Sequence, residues 1–161
     1  MSYPDPTYFG DGDVLATYRP VDTAPDLPLP TGSAAYLVTG ATTAGRFGLY
    51  RWDMGPEQAG ARPHFHRTMS ESFFVLSGNP ELYDGSTWVP GSAGDFLYVP
   101  EGGVHGFRNQ SGEPATLLIL FAPGAPREAY FEGLVEMAEG RWVPTHDELQ
   151  AFLEEHDNLY I

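Results

Sequence analysis

Three side chains able to ligate a transition metal fall within eight positions of one another: His64, His66 and Glu71, in the stretch GARPHFHRTMSESFFVLSG from Gly60 to Gly78. A neutral imidazole and an ionised carboxylate each offer a lone pair that divalent ions of the first transition row accept. Spacing decides whether they can act together. Residues i and i+2 of a strand share a face, so both imidazoles can reach one ion, and Glu71, Phe73 and Val75 share a face of the following segment. If the two faces meet, the carboxylate joins the imidazoles.

The chain has five histidines. A third one in a strand-like context beside glycines is His105, within GDFLYVPEGGVHGFRN from Gly94 to Asn109. Pro100 and Gly102 predict a turn that brings His105 back toward the first cluster, and Phe107 shares its parity. His146 and His156 fall in a helical region and are assigned surface or capping roles.

The elements that must position these residues are short strands. The chain contains 19 Gly and 15 Pro in 161 residues, roughly a fifth of the sequence against a combined average of about 12%. They punctuate apolar runs, which is the texture of an all-β domain. Residues 1–33 are rich in proline and are expected to form an arm packed across the domain or a neighbour. Strands are predicted at Ala35–Thr39, Arg46–Met54, Gly60–His66, Glu71–Ser77, Glu81–Tyr83, Thr87–Val89, Asp95–Val99, Val104–Asn109 and Ala115–Ala122. Asp84-Gly85 marks a hairpin turn, and the near-continuous apolarity of the last strand predicts cover on both its faces. Beyond Pro126 the period becomes helical. Tyr130, Phe131, Leu134, Val135 and Ala138 stripe one helix that stops at Gly140. Thr145 with Glu148 forms a capping box that opens a second helix striped by Leu149, Phe152 and Leu153. The regular stripes predict that both helices cover an outer sheet face. The expected whole is a single domain, an all-β jelly-roll barrel over residues 34–124 with an N-terminal arm and a helical extension over 125–161.

The formal net charge of −14 repels a phosphate backbone, so nucleic acid is an unsuitable partner. The absence of cysteine excludes disulfides and thiolate chemistry. No apolar run reaches the roughly 20 residues of a membrane span, and the first residues lack the basic and apolar regions of a signal peptide. A cytoplasmic protein is expected.

Gly94, Pro100, Gly102, His105 and Asn109 stand at every spacing of the second cupin motif, G-x5-P-x-G-x2-H-x3-N. His64, His66, Glu71 and Gly78 reproduce the first, G-x5-H-x-H-x3,4-E-x6-G, except that its leading glycine falls on Gln58 and the nearest glycine is Gly60. Over residues 35 to 122 the chain thus resembles the cupin superfamily, in particular small single-domain bacterial cupins. Its layout is similar to quercetinase-type dioxygenases and polyketide-tailoring cupins. The resemblance implies a jelly-roll core, one metal ion held by His64, His66, Glu71 and His105, a second role for Glu71 as a catalytic base, and a homodimer formed through N-terminal strands. Three imidazoles and a carboxylate suit Fe, Ni, Co, Mn, Cu or Zn without choosing among them.

Such a ligand set leaves one or two positions of the ion open, as catalytic sites do. Around it the strands carry Tyr50, Trp52, Phe73, Tyr98 and Phe107, aromatics suited to a pocket for a flat small-molecule substrate or simply to a barrel core. The leading expectation is a metal-dependent dioxygenase acting on an aromatic or polyketide-like molecule. A Lewis-acid cyclase or isomerase and a non-catalytic binding protein are the alternatives.

Overall fold

The computed structural model describes residues 2–161. In chain order the elements are β1 (Leu27–Leu29), β2 (Gly32–Val38), β3 (Gly48–Met54), β4 (Gln58–Phe65), β5 (Ser70–Ser77), β6 (Glu81–Tyr83), β7 (Trp88–Pro90), β8 (Phe96–Val99), β9 (His105–Asn109), β10 (Ala115–Ala122), α1 (Glu128–Ala138), α2 (His146–Glu155) and β11 (Leu159–Tyr160). They form a six-stranded sheet in the order β1-β2-β3-β10-β5-β8 and a five-stranded sheet in the order β11-β4-β9-β6-β7, with antiparallel pairing throughout. This is the jelly-roll architecture expected, with two helices following the strands.

Strict alternation sets the core. Tyr50, Trp52 and Met54 of β3, Phe73 and Val75 of β5, and Leu117, Ile119 and Phe121 of β10 all point inward and are buried. The expectation that β10 is covered on both faces fails. Its residues alternate between buried and partly buried along the whole strand, and among the described residues no helix or strand is layered over that outer face of the six-stranded sheet. That outer face also carries Phe74, Phe96 and Tyr98, 40%, 63% and 57% exposed.

The helices do not lie on an outer sheet face either. Phe131 of α1 inserts between the sheets and meets Tyr50, Trp52 and Phe121 at ring-centroid distances of 5.3, 5.0 and 6.3 Å, all inward-facing residues. The apolar stripe of α1 thus closes the open end of the sandwich, since the core aromatics there present more hydrocarbon than the strands alone can bury. α2 packs behind it, with Phe152 stacked on Tyr130 at 5.6 Å and Leu153 buried. The capping box forms as the sequence predicts, Thr145 N–H donating to Glu148 Oε2 at 2.7 Å and Glu148 N–H to Thr145 Oγ1 at 3.3 Å.

The proline-rich arm contains one regular piece, β1, which forms a short hairpin with β2. Of its earlier apolar residues, Phe9, Leu15 and Tyr18 are more than four-fifths exposed and do not pack across their own domain.

Candidate metal centre

Three elements converge on one point between the sheets. β4 delivers His64, and His66 follows just past its end; β9 delivers His105, directly opposite His64 in the ladder. Glu71 comes from β5 of the facing sheet. All four residues are at most 4% exposed, and one donor atom from each lies within 4.8 Å of the others. Two donors on opposite sides of one ion, each at about 2.1 Å, sit about 4.2 Å apart, so the group has the dimensions of a single-ion shell.

Backbone geometry explains how β4 and its turn achieve this. β4 carries two register shifts against β9, at Gln58/Ala61 and Ala61/His64. At the first, Gly60 adopts φ +62°, and a Cβ there would lie 2.0 Å from the Phe107 carbonyl oxygen, so only glycine fits. The absence of glycine at position 58 is therefore met two residues on. On the other side, the Gly102 N–H donates to the His66 carbonyl at 2.7 Å, tying the turn before β9 to the first histidine pair. Asn109 is fully buried; its Nδ2 donates to the carbonyls of Gly55 and Glu113 at 2.9 and 2.7 Å and staples the far end of β9.

Each imidazole is oriented by a backbone carbonyl. His64 Nδ1 donates to Arg62 O at 2.7 Å, His105 Nδ1 to Gly103 O at 2.9 Å, and His66 Nδ1 to Asp157 O. A carbonyl only accepts, so the proton of a neutral ring sits on Nδ1 and the Nε2 lone pair faces inward. Nε2 of His66 and of His105 then lie 2.9 and 2.7 Å from Glu71 Oε2. At these distances a cation has to stand between ring nitrogen and carboxylate, a proton on Nε2 or a bound metal ion that replaces it. The donor set, not only its spacing, fits a metal ion.

Electrostatics agree. Burial, reinforced by the neighbouring His105, pushes His64 down to about 3, leaving a neutral ligand at physiological pH. Burial raises Glu71, but the charge and hydrogen bonds of His105 and His66 outweigh it and hold the carboxyl well below its ordinary value. At His105 burial works downward and the adjoining Glu71 carboxylate wins, raising it.

Beside this cluster lies a cavity of about 320 Å³, lined by Glu71 and His64 among the four, by Trp52 and Phe107, by Ile119 and Phe121, and by the α1 residues Tyr130, Phe131, Leu134 and Val135. Of the five aromatics expected to line a pocket, Trp52 and Phe107 do so. Tyr50 and Phe73 lie in the packed core next to it, Tyr50 donating its hydroxyl to Glu128 at 2.6 Å and Phe73 lying 5.8 Å from the His105 ring. Tyr98 belongs to the outer face. It pairs with Ser72, whose parity is opposite to that of Glu71 and Phe73, and this directs its ring to solvent.

The C-terminal segment contributes more than its sequence announces. β11 pairs with β4 at His64 and Phe65, placing Tyr160 5.7 Å from the His64 ring. Asp157, at φ +51°, holds the loop after His66: its carboxylate accepts from the N–H groups of Arg67 and Thr68 and from the Thr68 hydroxyl, at 2.7–3.0 Å. Arg127 and Asn158, 3% and 1% exposed, also line the cavity. None of these belongs to a local motif.

Residues 50–121 match the family model of the cupin domain. The chain contains a cupin domain. Among solved structures, a predicted oxalate decarboxylase from Thermotoga maritima is similar over 67% of this chain and 99% of its own, with TM-score 0.59 and 18% identity. The polyketide cyclase RemF from Streptomyces resistomycificus is similar over 70% of this chain and 82% of its own, with TM-score 0.55 and 24% identity. At these identities the likeness is one of fold. An uncharacterized protein of Aquifex aeolicus (strain VF5) is 39% identical over 61 residues, which are 38% of this chain and half the length of that relative. Among the described residues, no helix of this chain is long and apolar enough to cross a membrane.

Proposed function

We propose that this cupin is a metal-dependent dioxygenase acting on an aromatic or polyketide-like small molecule. The observation that carries the reading is the placement of the four-donor cluster at the wall of an apolar cavity, with only Glu71 and His64 of the four turned toward it. A redox-capable divalent ion held by His64, His66, Glu71 and His105 would supply affinity for dioxygen and an open position beside the substrate. Insertion of both oxygen atoms oxidises the organic molecule and reduces O₂, so no external reductant is required.

The chain's own residues support three parts of this task. Trp52, Phe107, Phe131 and Ile119 offer flat apolar walls to a ring system and keep water from the reacting atoms. Glu71 is the one carboxylate among the lining residues and is held ionised by its imidazole neighbours, as a base that takes a phenolic or enolic proton must be. The carbonyl-anchored imidazoles keep their rings fixed while that proton moves.

The test is oxygen uptake by protein loaded in turn with Fe, Ni, Co, Mn, Cu and Zn, presented with hydroxylated aromatic and polyphenolic compounds. Substrate-dependent consumption of O₂, abolished in Glu71→Ala, is expected. Conversion of a substrate with no oxygen consumed would replace this reading by a Lewis-acid cyclase or isomerase.

A further inference from the structure

Three side chains in the cavity wall carry buried N–H groups with no acceptor: Arg127 Nε, Asn158 Nδ2 and Trp52 Nε1. The residues are 3%, 1% and 7% exposed. Buried polar groups are nearly always satisfied and destabilise the fold when left alone, so three donors on one cavity wall call for an explanation.

Arg127 sharpens the point. Its guanidinium donates to the His156 carbonyl at 2.6 Å and to Asn158 Oδ1 at 3.2 Å, both uncharged, and among the described residues no carboxylate lies within ion-pair distance of it. It is held against aromatic faces, 4.2 Å from the Tyr130 centroid and 5.0 Å from that of Phe121. An arginine stays charged in this setting, and a buried cation without a counter-ion is expensive. The nearest candidate inside the cavity wall, Glu71, already serves the imidazole cluster. The three unpartnered groups are all donors, so what completes them is an acceptor, and the charge of Arg127 asks that it be negative.

We propose that the cavity binds an organic anion, an apolar ring system bearing a carboxylate, enolate or phenolate oxygen, whose oxyanion is received by Arg127 Nε, Asn158 Nδ2 and Trp52 Nε1. The site is built in advance: Arg127 is fixed by two hydrogen bonds and its aromatic flanks, and its Nε–H is left for the ligand. The proposal rests on the cavity assigned to substrate above, and adds the charge of that substrate and the residues that select it.

Binding of 2-naphthoate and of its neutral counterpart 2-naphthamide, measured by calorimetry on the full chain both as isolated and after chelator treatment, tests it. The wild type should prefer the carboxylate by at least about tenfold, about 1.4 kcal/mol, with or without metal. Arg127→Met should abolish the preference. Asn158→Asp preserves the acceptor for Arg127, places a built-in counter-ion against it and removes one donor, so it should abolish the preference as well without emptying the core. Equal affinities for the two probes in the wild type, absence of binding by both included, would overturn the proposal. So would a preference that disappears on chelation or survives in both variants, which would place the anion on the ion alone. No turnover enters these measurements. Loss of the oxygen-uptake reading with the naphthoate preference intact removes only the dioxygenase assignment, and the reverse result removes only the anion site.

Discussion

Replacement of Asp157 by alanine should weaken both the fold and the metal centre, although the residue lies 91 positions from the histidine it supports. Its carboxylate receives the N–H groups of Arg67 and Thr68 and the hydroxyl of Thr68. Its carbonyl receives His66 Nδ1. Hydrogen bonds to a charged group contribute about 1.5–3 kcal/mol each when buried. The side chain here is only partly buried, so water recovers much of that, and about 1 kcal/mol for each of the three donors is a fair discount. The sum, about 3 kcal/mol, corresponds to a fall in Tm of roughly 6–12 °C for a chain of this size. Loosening the turn frees His66, and loss of an outer partner of this kind costs 10–100-fold in metal affinity, so about tenfold is expected. Asp157→Asn retains the shape and tolerates φ +51°, and should fall between the two. Burial raises this carboxyl, but Thr68 and the amides of Arg67 and Thr68 outweigh it and lower it from 3.8. Its folded value lies below its unfolded one, so its contribution is present above 3.8 and fades as pH falls through the folded value; the gap between wild type and Asp157→Asn should close there. Differential scanning calorimetry across pH and competitive metal titration read both effects. An Asp157→Ala protein that melts within about 2 °C of wild type and binds metal with unchanged affinity would refute the reasoning.

Three further outcomes follow from the geometry. Metal uptake should be accompanied by proton release, because burial lowers His105 but the Glu71 carboxylate outweighs it and favours the protonated ring, which must give up its proton to become a ligand, whereas burial keeps His64 neutral already. Calorimetry in buffers of different ionisation enthalpy counts it, and affinity should fall as the pH is lowered. Asn109→Leu strands the carbonyls of Gly55 and Glu113 in the interior and should cost about 2–4 kcal/mol, read as a denaturant midpoint. We propose that the protein is a homodimer formed through its N-terminal strands, whose preceding arm leaves Phe9, Leu15 and Tyr18 exposed. A chain lacking residues 1–26 should then elute as a monomer with light scattering, and a monomeric wild type at micromolar concentration would refute the assembly.

Much of this molecule was legible in its sequence because two short motifs fall on alternating strands. Period two told which side chains share a face, and that was enough to put His64, His66, Glu71 and Phe107 on inward positions. Tyr98 differs from the expected pocket position because it pairs with Ser72 on the outside, and the pairing register of β5 and β8 is not written in either strand. The apolarity of Ala115–Ala122 suggested two covered faces, yet one side of that strand is open. Hydrophobicity records what a surface would bury, not whether this chain supplies the cover. The helices were recognised by their stripes, but a stripe does not say which surface it meets. Phe131 enters the sandwich because the open end between Tyr50, Trp52 and Phe121 offers it more contact than the outer sheet face would. Arg127, Asp157 and Asn158 left no pattern, since their roles depend on a chain reversal that returns the last residues to β4.

The central claim is that His64, His66, Glu71 and His105 hold one transition-metal ion beside the substrate cavity. Elemental analysis of the full chain as isolated, alongside Glu71→Ala and His66→Ala, tests it most directly. The account predicts about one equivalent of a divalent transition metal per chain in the wild type and a loss to below about a tenth of that in both variants, with the fold retained by circular dichroism. A wild-type protein that carries no metal and takes up none of Fe, Ni, Co, Mn, Cu or Zn, or variants that retain it in full, would contradict the account.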